Sequence, residues 1–257
     1  MTTRYSLIPS ALALALAAGG AHAFEPAGEE ITYQVDGEAF EGYLSRAEGE
    51  SRGSVLIIHD WDGLDDYERR RADMLADLGY DAFAADLYGQ GNRPAETEAK
   101  KAETARLYED RERMRALTLA GLAEARAQGA ASNAVIMGYC FGGAVVLEMA
   151  RSGAADDMHG YASFHGGLAT PEGQSWSEDA GPLLIAHGGA DASISLDDVA
   201  TLGKELESAG TTYQIEVYSG APHAFTVFGS DAYQKRADEH SWSAFLDLLD
   251  EVLTPSS

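Results

Sequence analysis

Six short, β-rich apolar runs punctuate the chain: Ser54–His59, Asp81–Asp86, Ala134–Met137, Tyr161–His165, Pro182–His187 and Tyr213–Tyr218. Runs of this kind, apolar at nearly every position, fit strands buried on both faces. Between several of them the apolar period lengthens to that of a helix. Asp66–Leu78 sets Met74, Leu75 and Leu78 on one side and Arg69, Arg70 and Arg71 on the other. Glu96–Gln128 is longer and rich in charge, with Leu107, Met114, Leu117 and Leu122 as its apolar stripe. Its charged residues read as a solvated face with i,i+4 pairs. Gly142–Arg151, Leu196–Ser208 and Ala232–Leu253 complete the predicted helices. Gly79, Gly129, Gly153 and Gly210 fall where helices end on a left-handed residue.

Strands alternating with helices imply right-handed crossovers, hence a mostly parallel twisted sheet with helices on both faces. Ile31–Val35 and Ala39–Leu44 alternate apolar and polar residues around Asp36-Gly37, which predicts an N-terminal antiparallel hairpin at the sheet edge. The fold class is α/β. Neither a repeat nor a long linker divides the chain, so residues 24–257 are expected to form a single domain.

Residues 1–23 are set apart. Arg4 supplies a positive start, Leu7–Ala18 a short apolar run, and Ala21-His22-Ala23 a small-residue cleavage site. The run is shorter than the roughly 20 residues a helix needs to span a bilayer. A signal peptide cleaved after Ala23 is expected, with export to the periplasm and no membrane attachment afterwards.

The chain is 45% hydrophobic, 9% aromatic and 23% charged over 257 residues, proportions that exclude disordered, collagen-like and coiled-coil classes. Its formal net charge is −24 at pH 7. So acidic a surface repels phosphate backbones, and a nucleic-acid partner is not expected. There is one cysteine, Cys140, so no intramolecular disulfide can form.

That cysteine sits in Gly138-Tyr139-Cys140-Phe141-Gly142-Gly143, after one predicted strand and before a helix. G-x-C-x-G between strand and helix is the setting of a nucleophile elbow, a tight turn that lifts the nucleophile off the strand end. The backbone N–H of Phe141 would donate into an oxyanion hole. The N–H groups of the following helix favour thiolate, and a thiol paired with His223 is expected to alkylate well below the free-thiol pKa of about 8.5. Asp191 follows a later strand, in Gly188-Gly189-Ala190-Asp191, and His223 follows the last, in Ala221-Pro222-His223-Ala224-Phe225. Nucleophile, acid and base in that chain order, each at a strand's carboxyl end, is the order of α/β-hydrolases.

These residues resemble the dienelactone hydrolases, over about Ile31 to Leu253. The likeness rests on Val55–Gly63, Gly79-Tyr80, Asp86-Leu87-Tyr88, Gly138–Gly143, the Asp191 loop and Pro222-His223-Ala224-Phe225. It implies an α/β-hydrolase fold and a hydrolase of carboxylic esters or lactones. Cys140, His223 and Asp191 would be the triad, and the N–H groups of Phe141 and Trp61 the oxyanion hole. It implies no cofactor and a small-molecule substrate. Asp60 stands where the family has a glutamate that tunes the thiol; its alternative is a cap for the next helix. Val227 stands where the namesake has a substrate-binding arginine, and Arg93 lies near another. With Tyr88 and Phe225 these are the candidate substrate contacts, their alternative being ordinary loop packing. His59, His165 and His187 also end strands, but without the spacing of a metal site. A non-catalytic binding protein on this scaffold is the alternative function. Whether the protein is a monomer or a dimer is left open.

Overall fold

A computed structural model describes residues 24–155 and 157–253, so the predicted signal peptide lies outside the described residues. Eight strands form one sheet: β1 (Glu29–Val35), β2 (Glu38–Ser45), β3 (Ser54–Ile58), β4 (Asp81–Ala85), β5 (Ala134–Tyr139), β6 (Met158–Phe164), β7 (Leu183–Gly188) and β8 (Tyr213–Tyr218). Their spatial order is β1-β2-β4-β3-β5-β6-β7-β8. The β1–β2 hairpin turns at Asp36-Gly37, and β2 runs antiparallel to β4. Every other neighbouring pair is parallel.

Among the described residues six α-helices connect or cover these strands: α1 (Asp66–Asp77), α2 (Thr97–Glu109), α3 (Arg111–Ala127), α4 (Phe141–Ser152), α5 (Leu196–Ala209) and α6 (Lys235–Leu253). The central strands feed two separate cores, because consecutive side chains point to opposite faces. Leu56, Ile58 and Ile136 pack with Leu117 of α3, Val145 of α4 and Leu202 of α5. Val55, Ile57 and Met137 pack on the other face with Leu75 of α1 and Phe245 of α6. Among the described residues no helix is long and apolar enough to cross a membrane.

The helix expectations are corrected at three points. Glu96–Gln128 is two helices, broken at Asp110, whose backbone leaves the helical region and whose side chain caps α3 through the N–H of Arg113 at 2.9 Å. An aspartate competes for backbone donors in this way, and so starts a helix better than it continues one. Arg71 is not on a solvated face. Its side chain is 1% exposed, ion-paired with Asp238 of α6, and Nη2 donates to the C=O of Thr226 at 3.0 Å. Nor is the long charged stretch only solvated: its Arg111 and Arg115 join Arg151 of α4 on Glu148, which is fully buried.

Leaving one member of a buried ion pair without its partner costs about 3–5 kcal/mol. Arg71→Met should therefore destabilise the fold by about that amount in urea unfolding, and a loss below about 1 kcal/mol would contradict this account of the pair.

Candidate active site

The carboxyl ends of β3, β5, β7 and β8 carry the loops in question, as open α/β sheets arrange their sites. Cys140 lies between β5 and α4 with φ 51° and ψ −109°, a conformation that L residues rarely adopt. Such a bend needs space. A Cβ on Gly138 would lie 2.3 Å from the C=O oxygen of Gly142, and one on Gly142 would lie 2.2 Å from that of Ile58. Only glycine at both positions lets the elbow close against β3.

The structure brings Cys140, His223 and Asp191 together. His223 Nε2 lies 3.1 Å from Cys140 Sγ, and His223 Nδ1 lies 2.7 Å from Asp191 Oδ2. A carboxylate can only accept, so Nδ1 carries the ring proton and Nε2 turns its lone pair to the sulfur. The other carboxylate oxygen of Asp191 accepts from the N–H groups of Ser193 (2.8 Å) and Ile194 (3.0 Å). Burial alone would raise the Asp191 pKa. The Ile194 N–H, His223 and the Ser193 N–H outweigh it and hold the carboxylate ionised.

The thiolate expectation is corrected. Burial, then the charge of Asp60, push the Cys140 thiol up to about 12. The N–H groups of Phe141 and Trp61 face the sulfur and act against that rise without overcoming it. The resting sulfur therefore favours its thiol form, facing His223 Nε2.

Asp60 is buried, and its Oδ1 accepts the N–H of Asp62 at 3.0 Å. Burial and the neighbouring Asp62 and Asp65 raise its own pKa well above the ordinary carboxylate range. It is not the cap of the next helix. That cap is Asp65, in a reciprocal box with Glu68.

The loop after β3 is clamped by His59. Leu87 N–H donates to its Nε2 at 3.1 Å, so its Nδ1 carries the proton and donates to the C=O of Asp60 at 2.6 Å. Tyr88 edges the His59 ring at 4.6 Å and donates from its hydroxyl to the C=O of Trp61 at 3.3 Å. Tyr88 thus supports the loop that aims the Trp61 N–H. Trp61 and Val227 are half-buried at this end of the sheet.

Two candidate substrate contacts are corrected. The Arg93 guanidinium is consumed by the protein: it donates to the C=O groups of Leu64 and Asn92, pairs with Glu41 and lies 3.7 Å from Asp86. Phe225 is fully buried against His165 and Tyr218, so it faces core rather than substrate.

Tyr108 of α2 was not legible from the chain, since it lies in a run that reads as solvated. Its ring sits 5.5 Å from that of Phe141, at the mouth of the site. Thr226 gave no signal either, and is fully buried beside His165. Among the described residues no group of three or more His, Cys, Asp or Glu is arranged to hold a metal.

A cysteine on a strained strand–helix turn, with a histidine and a carboxylate on later strand-end loops, defines a hydrolase of the α/β-hydrolase fold. Comparison narrows this: the dienelactone hydrolase family pattern matches residues 40–253, and the chain belongs to that family, which together with its carboxymethylenebutenolidase relatives makes it a carboxylic-ester hydrolase. A Bradyrhizobium sp. protein assigned as a 2-oxo-3-(5-oxofuran-2-ylidene)propanoate lactonase is 26% identical over 224 residues, 84% of this chain and 90% of that protein. A Methylorubrum extorquens protein assigned as a carboxymethylenebutenolidase is 25% identical over 264 residues, 92% of this chain and 90% of that one. A solved structure of a dienelactone hydrolase-like promiscuous phosphotriesterase from metagenomic libraries superimposes with a TM-score of 0.79 at 27% identity, over 88% of this chain and 98% of the other.

A thiol pKa raised above its ordinary value means little thiolate at neutral pH, with the reactive fraction growing as pH rises. Iodoacetamide should alkylate Cys140 slowly at neutral pH and progressively faster into the alkaline range. Asp60→Asn removes a negative charge that opposes ionisation and should move this profile to lower pH. A wild-type plateau reached below the free-thiol value of about 8.5 would contradict the first statement, and an Asp60→Asn profile at or above that of the wild type would contradict the second.

Proposed function

We propose that the protein hydrolyses small carboxylic esters or lactones by covalent catalysis at Cys140, with His223 as base and Asp191 as its orienting acid. The observation that carries this reading is one imidazole bridging two groups, with Nε2 3.1 Å from Sγ and Nδ1 2.7 Å from Asp191.

The sulfur rests protonated, so its activation belongs to the reaction itself. His223 Nε2 takes the thiol proton as Sγ attacks the carbonyl carbon. The carbonyl oxygen becomes an oxyanion between the N–H groups of Phe141 and Trp61, and each such donor contributes about 2.7–4 kcal/mol. The tetrahedral intermediate collapses, the C–O bond breaks, and the imidazolium gives its proton to the departing alkoxide. For a lactone that alkoxide stays attached to the acyl chain. A thioester on Cys140 remains. Water then loses a proton to Nε2 and attacks the thioester carbonyl, and the sulfur leaves and recovers its proton from the imidazolium. Asp191, held ionised, stabilises the imidazolium in both halves and fixes the reactive tautomer. No step calls for a cofactor.

Beside the triad lies a cavity of about 340 Å³ walled by Tyr108, Ala144, Leu168 and Ile194, with Arg111, Arg151 and Asp198 also lining it. Ile194 also donates to Asp191, and Tyr108 packs on Phe141. The apolar part of this wall supports a compact acyl or alcohol group next to the carbonyl, while Arg111 and Arg151, both paired with Glu148, and Asp198 make the rest of it charged. With Arg93 consumed and Val227 lacking a charge, neither position offers a guanidinium to the substrate.

On a panel of aryl esters and lactones, Cys140→Ala and His223→Ala should each lower kcat by about 10⁴ or more, and the double variant should be no worse than either single one. Turnover by Cys140→Ala close to that of the wild type would remove the nucleophile role.

A further inference from the structure

The N–H of Cys140 is shared by two acceptors, the C=O of Phe164 at 3.0 Å and Nδ1 of His165 at 3.2 Å. A backbone amide only donates, so Nδ1 of His165 holds a lone pair and the ring proton sits on Nε2. That nitrogen lies 2.8 Å from Thr226 Oγ1 and donates to it. Thr226 Oγ1 in turn lies 2.7 Å from Tyr67 Oη, which also accepts from Arg71 Nε at 3.4 Å. Arg71 reaches the same residue again, through the C=O of Thr226 at 3.0 Å.

His165 and Thr226 are both fully buried, and burial holds the imidazole neutral, with a pKa well below its usual value. A doubly protonated ring could not accept from Cys140. Neutrality and the direction of the chain therefore support each other.

Thr226 lies three residues after His223 on the same loop, while His165 follows β6 and sits beneath the elbow. The His165 ring also meets the His223 ring edge-on at 5.3 Å. One hydroxyl and one imidazole thus join the loop that carries the base to the backbone that carries the nucleophile. We propose that Thr226, acting through His165, is a positioning residue that sets the distance between Cys140 Sγ and His223 Nε2. It touches neither the sulfur nor the substrate, and its working part is the hydroxyl rather than its volume. This inference rests on the Cys140–His223 reading given above.

Thr226→Val removes the hydroxyl at nearly constant volume and leaves His165 Nε2 buried without a partner. His165→Asn keeps an acceptor for the Cys140 N–H and tolerates the positive φ of 40° at that site, but it is too short to reach Thr226. Each should lower kcat by about 10–100-fold, since small misplacements of reacting groups cost about that much. KM should stay within about twofold, because no ground-state contact to substrate is lost. Thr226→Ser should restore kcat to within about threefold of the wild type. In the double variant Thr226→Val/His165→Asn the losses should not add, as expected of two links in one chain.

A folded Thr226→Val protein with wild-type kcat overturns the proposal, and so do additive losses in the double variant. If Thr226→Val does not fold, the kcat and KM of His165→Asn decide alone: a kcat loss at constant KM supports the chain, and an unchanged kcat overturns it. Cys140→Ala assayed alongside separates the two levels. Activity in Cys140→Ala overturns the nucleophile reading, whereas a dead Cys140→Ala beside a fully active Thr226→Val overturns the positioning role alone.

Discussion

A sulfur and an imidazole nitrogen, carried by loops 83 residues apart, meet at 3.1 Å, and much of this end of the molecule serves to keep them there. Neither loop holds that position by itself. Cys140 occupies a backbone conformation that costs about 1–3 kcal/mol and persists only where its surroundings impose it. The imposition is visible in the glycines that let the elbow press against β3, and in the two acceptors that share the Cys140 N–H. His223 is fixed from its far side by Asp191 and from below by the contacts of Thr226.

The same packing sets the chemistry of the resting state. Burying the thiol near Asp60 favours its protonated form, although the N–H groups of Phe141 and Trp61 oppose that. Sulfur is then nucleophilic only while an imidazole accepts its proton, so reactivity is tied to the approach of a carbonyl rather than standing open to any electrophile. Desolvation is the larger influence here. Helix-end dipoles are worth about 0.3–1 kcal/mol where exposed and lose out to a buried site with a carboxylate alongside.

The alternation of apolar runs with helical periods made the parallel sheet legible. The strand-end placement of Gly138–Gly143, Asp191 and His223 made three site positions legible, because motif, order and turn chemistry are local properties. What stayed hidden depends on distant partners. Arg71 looks like its solvated neighbours until Asp238, 167 residues away, arrives opposite it. Arg93 looks available until Glu41 and the Leu64 carbonyl consume it. Phe225 looks like a loop aromatic free to meet a ligand, and tertiary packing turns it inward. Asp110 is a local signal of a different kind, since a capping residue inside a charged run is hard to tell from one more charge.

Covalent chemistry at Cys140 is the central claim, and mass spectrometry of a rapidly quenched reaction with an activated aryl ester tests it most directly. The account predicts an added mass equal to one acyl group, mapping to the peptide that contains Cys140 and disappearing as the ester is exhausted. Turnover with no acylated protein at any quench time, or an acyl group on another residue, would contradict it.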